Sequence, residues 1–135
     1  MKTIEFTVTT GSRTRVVDVT AQAAAFVRDQ GDGLLSVFVP HATAGLAIME
    51  VGAGSDRDLL AAIDEVLPAT EGRWTHRHGS PGHGRDHVLP AFIAPSLTVP
   101  VFDGSLALGT WQSIVLVDTN VDNTTRTVRL SFLAG

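Results

Sequence analysis

The sequence contains no cysteine, which excludes disulfides, thiolate metal ligands and a cysteine nucleophile together. Any metal must then be held by His, Asp or Glu. Positive charge is scarce as well: ten Lys and Arg against fourteen Asp and Glu give a formal net charge of -4, with no basic cluster. A phosphate backbone selects a basic footprint, so nucleic acid is not an expected partner. No apolar run approaches the roughly 18 residues of a membrane span, and Met1 to Phe6 has no apolar leader-like core. The expectation is a soluble, cytoplasmic protein with no membrane partner. A glycine-rich phosphate loop is also missing. What remains is 135 residues with 44% hydrophobic content, enough for one core and a single domain over residues 1–135.

Histidine is what the chain has instead, concentrated in one place. The stretch from Trp74 to His87 holds His76, His78, His83 and His87, four of the five histidines. Gly79, Pro81, Gly82 and Gly84 disfavour regular structure there before about Asp86. Neutral imidazole is a common ligand of zinc and similar ions, and loops on a rigid scaffold concentrate binding groups. Such a loop reads either as a metal site or as solvated polar surface. His76 and His78, two apart, share one side of an extended segment, whereas His83 and His87, four apart, converge only on a helix, which Gly84 and Pro81-Gly82 oppose.

Around this loop the patterning is mixed. Residues 4–9 alternate apolar and polar as a half-buried strand, Gly11-Ser12 turns, and 13–19 reads as its hairpin partner. Thr20 is placed to cap a helix over 21–30. Residues 34–39 are almost wholly apolar, the pattern of a strand buried on both faces, and 46–51 gives another strand. Ser55 is placed to cap a helix over 56–67 whose Leu59, Leu60, Ile63, Val66 and Leu67 share a face. Asp86 is placed to cap a short helix through 87–93. Asp103-Gly104 signals a hairpin between 97–101 and 105–108, and strands over 113–118 and 125–132 follow. Many strands with two or three helices, without strict alternation, point to an α+β fold on a mainly antiparallel sheet.

Outside the loop, His41 follows a strand and Pro40, at a rim position suited to a ligand. Glu50 shares strand parity with Leu46 and Ile48, so it is either an acid aimed into apolar surroundings, with a raised pKa fit for general acid or base work, or an edge residue reaching solvent. Thr43 and Gly45 offer backbone N–H groups to an anion. Trp111 reads either as a core residue or as a ligand platform. Arg126 and Arg129 lie on opposite faces of the last strand, so only one of them can face a given site.

Taken in order, His41-Ala-Thr-Ala-Gly-Leu, Glu50, His76, His87, Pro95-Ser-Leu-Thr-Val-Pro100, Asp103-Gly104 and Leu108-Gly-Thr-Trp-Gln112 resemble the YjbQ-type family, often labelled secondary thiamine-phosphate synthase. The resemblance implies a compact α+β fold and a homotrimer with a histidine-lined pocket at or near the subunit interface. It implies a divalent metal on His41, His76 and His87, with Glu50 and His41 as catalytic groups and Thr43, Gly45, Trp111 and Gln112 as substrate contacts. Imidazole ligands suit zinc best, whereas Mg²⁺ on carboxylates would suit a diphosphate leaving group. The loop arginines Arg73, Arg77 and Arg85 are the basic groups at hand for such charge. The expected function is a metal-dependent enzyme, a hydrolase or a thiamine-phosphate synthase-like transferase, acting on a small phosphorylated substrate. The other expectation is a non-catalytic binding module.

Overall fold

The alternating segments form eight strands in a computed structural model describing residues 1–135. These are β1 (Lys2–Thr9), β2 (Arg15–Asp18), β3 (Gly33–Phe38), β4 (Ala44–Met49), β5 (Ser96–Phe102), β6 (Ser105–Leu106), β7 (Ser113–Asp118) and β8 (Thr125–Ala134). Helices α1 (Thr20–Val27), α2 (Ser55–Val66) and α3 (Leu89–Phe92) and a 3-10 turn at His83–His87 complete the chain. None of these helices is long and apolar enough to cross a membrane. The fold is α+β with antiparallel pairing throughout, arranged as a five-stranded sheet, β1-β8-β3-β5-β6, and a three-stranded sheet, β2-β7-β4.

Two clusters of apolar side chains set the layers. Leu35, Val37, Val99, Val101, Leu130 and Phe132 of the large sheet meet Leu46, Ile114 and Leu116 of the small one, with Ala23 and Val27 of α1. On the far side of the small sheet, Val115 and Val117 pack on Ile63 and Leu67 at the end of α2 and on Leu89 of α3. β7 therefore has apolar partners above and below, and its last five residues are all buried.

Several expectations change here. β1 and β2 are not a hairpin: β1 pairs with β8 and β2 with β7, so the turn at Gly11 passes the chain from one sheet to the other. The strand buried on both faces is β7, not β3, whose Leu34 is 45% exposed on the uncovered face of the large sheet. Thr20 does not cap α1; its Oγ1 accepts the Ile114 N–H at 2.8 Å and ties the helix to β7. Ser55 opens α2 without a side-chain cap, and Val66 turns outward from its apolar face. The segment 87–93 is a 3-10 turn followed by α3, with Pro90 at the second residue of α3, where it costs no helical hydrogen bond. Asp103-Gly104 does make the expected tight turn, with φ of 47° and 71°.

Gly45 is required by packing. A Cβ there would lie 2.0 Å from the carbonyl oxygen of Ile93, in a segment whose Ala94 carbonyl accepts the Leu46 N–H at 2.8 Å. Gly45→Ala forces these segments apart, and we expect a fall in melting temperature of about 5 °C or more, read by a thermal melt. An unchanged midpoint would show that the 93–95 segment yields without cost.

Candidate functional site

The histidine loop is held by its own packing. The Trp74 indole N–H donates to the Pro68 carbonyl at 2.9 Å, and its ring lies against the second apolar cluster. Gly82 adopts a left-handed conformation, φ 78°, immediately before the 3-10 turn. Gly84 lies so close to Trp74 that a Cβ would come within 2.4 Å of it. The glycines thus start the turn and let it dock, which is why His83 and His87 converge despite them. Arg85 is buried and donates to Asp64 at 2.6 Å and to the Leu67 carbonyl at 3.1 Å, fastening the turn to the end of α2. Arg77 folds onto the Trp74 carbonyl, and Arg73 lies over the Trp74 ring. All three loop arginines therefore have structural partners.

Ligand atoms of His76, His83 and His87 lie within 4.8 Å of one another. His83 Nε2 and His87 Nε2 are 3.0 Å apart, and the His78 ring centroid is 3.8 Å from that of His76. His76 Nε2 is buried with no hydrogen-bond partner, a cost that a bound ion would remove. His83 Nδ1 donates to Asp86 Oδ2 at 3.1 Å and lies 3.2 Å from Asp122 Oδ2. Asp86 in turn accepts the Thr119 hydroxyl at 2.6 Å. A carboxylate behind one imidazole nitrogen fixes the tautomer and leaves the other free to bind, as in many metal centres. The donor set thus fits a divalent transition ion. Loss of hydration, then repulsion from neighbouring imidazoles, lowers the pKa of His76 and His87, which favours the neutral, ligating form. The Ser80 hydroxyl and amide hold Asp122 below the ordinary carboxylate range.

His41 is not in this group, and His83 stands where His41 was expected. β3 ends at Phe38 opposite Arg129, and the His41 ring continues the ladder by accepting the Thr127 N–H on Nε2 at 2.8 Å. That nitrogen is committed to the backbone. His41 nonetheless lines the same pocket as His78, His83 and His87. Of the two readings of Glu50, the structure shows the solvent-reaching one: it is exposed just beyond β4, at the opposite end of that strand from Thr43. Trp111, 74% exposed, is neither core nor pocket wall, and Gln112 folds onto its own turn by accepting the Gly109 N–H at 2.8 Å. Both precede β7, again away from the histidines. Gly45 is occupied by Ile93 and reaches no pocket. Only Thr43 of the four proposed substrate contacts lines the histidine pocket.

The last-strand parity resolves in favour of Arg126. Arg129 pairs with Glu5 on the outer face, while Arg126, 2% exposed, donates through Nε and Nη2 to Asp118 at 2.7 and 2.9 Å and through Nη2 to Thr43 Oγ1 at 2.9 Å. The sequence named His83 among the loop histidines but the resemblance passed it over, and Asp86, Asp118, Asn120 and Asp122 were missed as pocket residues. The signals were the i, i+3 spacing of His83 and Asp86 and the run of Asp and Asn from Asp118 to Asn123.

This is an antiparallel two-sheet α+β domain with an open polar pocket, one wall of which is built of histidine. The family model described as UPF0047 protein YjbQ-like matches residues 4–135, and the chain belongs to that family. It is 60% identical over 124 residues to a UPF0047 protein of Mycobacterium tuberculosis H37Rv, covering 92% of each chain. Its fold matches the crystal structure of a hypothetical protein from Aeropyrum pernix K1 with a TM-score of 0.88 at 35% identity, covering 100% of both chains. A YbjQ-like protein of unknown function from Sulfolobus solfataricus P2 matches with a TM-score of 0.91 at 26% identity, over 99% of this chain and 97% of that one.

Burial, then the Arg126 guanidinium, lowers the pKa of His41, with Asp118 opposing them. Its folded value lies below the ordinary value of about 6.5, so the unfolded chain binds more protons as pH falls past that point. His76 and His87 act with the same sign. We expect the melting temperature in chelator to fall between about pH 7.5 and 5.5, and His41→Gln, which keeps an acceptor for Thr127, to flatten part of that slope. Parallel profiles would mean that His41 binds its proton equally in the folded and unfolded chain and contributes nothing to the slope.

Proposed function

We propose that this chain is a cytoplasmic, metal-dependent enzyme acting on a small phosphorylated substrate, with the ion on His76, His83 and His87. The observation that carries this is the meeting of three imidazoles, one with a buried nitrogen lacking any partner and one backed by Asp86. Zinc suits a nitrogen set of this kind, and when bound it would supply Lewis acidity toward a substrate oxygen. Within the chain, Asp86 and Thr119 orient His83, and His78 stands beside the cluster as an exposed imidazole able to carry a proton to solvent.

Hydrolysis or transfer of a phosphoryl group is favoured over thiamine-phosphate condensation, which remains a secondary activity in this reading. Diphosphate departure calls for spare cations, and Arg73, Arg77 and Arg85 are engaged within the fold. The reading includes a homotrimer, supported by the apolar side chains that one chain leaves in water, among them Phe92, Phe102, Trp111 and Leu133. Glu50 takes a catalytic part only across a subunit boundary, because the six residues of β4, about 20 Å of strand, separate it from the pocket of its own chain.

Elemental analysis of protein purified without an affinity tag tests this. Near-stoichiometric zinc or a related ion is expected in the wild type, with loss of at least about 90% of it in His76→Ala while circular dichroism stays native. Metal retained in that variant, or none taken up by the wild type from added Zn²⁺, would overturn the assignment.

A further inference from the structure

The wall of the pocket opposite the histidine cluster is built from groups whose acceptors are all consumed. Arg126 carries donors only, and its bonds to Asp118 and Thr43 use Nε and Nη2, so none of them uses Nη1. Thr43 Oγ1 accepts from Arg126 Nη2 at 2.9 Å and from Asn120 Nδ2 at 3.1 Å. Both of its lone pairs are taken, and its hydrogen is left to donate. His41 Nε2 accepts a backbone N–H, so the proton of the neutral ring sits on Nδ1, for which the fold provides no acceptor. His41, Thr43 and Arg126 all line one pocket of about 450 Å³ that also reaches His83 and His87.

Three donors without a free acceptor among them select a ligand group that only accepts. The Asp118 carboxylate, fully buried and bonded to Arg126, offers nothing to the pocket. Asp122 also lines it, but both its oxygens are engaged, by the Ser80 hydroxyl, the Ser80 amide and His83 Nδ1. We infer that Arg126 Nη1, the Thr43 hydroxyl and His41 Nδ1–H form an oxyanion subsite that takes the phosphate of the substrate. A guanidinium held rigid by a buried carboxylate binds such a group without an ordering cost. The inference deepens the reading above and rests on it only in assigning the anion to a substrate.

Asn123 gives a test that spares the fold. It is exposed, lines the same pocket, and accepts the Thr125 N–H through Oδ1, which Asp would also do. Asn123→Asp therefore adds a negative charge to the pocket and removes no acceptor. Inorganic phosphate is titrated calorimetrically into chelator-treated protein, with acetate as the planar alternative. Phosphate should bind the metal-free wild type more tightly than acetate, at least tenfold more weakly in Asn123→Asp, and within twofold of wild type in His76→Ala, whose side chain does not line this pocket. Thr43→Val should weaken it and Thr43→Ser should restore it. Phosphate binding only with metal present, acetate bound as well as phosphate, or insensitivity to Asn123→Asp would overturn the subsite while leaving the metal assignment intact. Absence of metal in the wild type would overturn that assignment without touching this one.

Discussion

The ion pair between Arg126 and Asp118 ties the two sheets together. Arg126 belongs to β8 of the large sheet and Asp118 to the end of β7 in the small one, and both are almost completely removed from water. Burying two charges is costly, and the contact repays it only because the guanidinium meets both carboxylate oxygens and Thr43 besides. Loss of one partner would strand the other at a cost of about 3–5 kcal/mol. A pair of apolar residues would hold the sheets as well, so what the ions add is direction. They fix where the ends of β4, β7 and β8 stand relative to one another, and the pocket wall is made of those ends.

The opposite wall depends on the end of α2. Arg85, fastened to Asp64 and the Leu67 carbonyl, pins the 3-10 turn there, and the turn projects His83 and His87 toward His76. Two arginines, one from each side, thus brace a pocket in a chain with few cations. Arg85 meets Asp64 and the Leu67 carbonyl, Arg126 meets Asp118 and Thr43, and the remaining loop arginines lie on the loop itself.

Much of the fold was legible because period-2 alternation reports which face of a strand is buried. It does not report the neighbour. β1 finds its partner at the far end of the chain, in β8, and no local pattern distinguishes that from a hairpin with β2. The apolar run 34–39 misled for a related reason: Leu34 and Leu133 sit opposite each other on an uncovered sheet face, so hydrophobicity there does not mean burial within one chain. In the site, the loop and its histidines were plain, but their grouping was not. The resemblance favoured His41, whereas the ladder left open where β3 ends draws its ring to Thr127. The pocket's polar wall escaped notice because Asp and Asn after a strand read first as turn formers. Membership of the YjbQ-like family was legible from motifs spread over most of the chain, and the family model covers residues 4–135.

β7 has apolar layers on both sides and a strand on each edge, so its amides are shielded from solvent in every direction. Such shielding leaves little room for local opening, so the β7 amides are expected among the last in the chain to exchange. Asp118, Thr119 and Asn120 follow directly from its end. The polar wall of the pocket is therefore anchored to the most enclosed strand of the fold, while the histidine wall rises from a glycine-bearing loop. The two walls thus differ in what must give way before they part: a strand paired on both edges on one side, and on the other a loop held by Trp74 and Arg85.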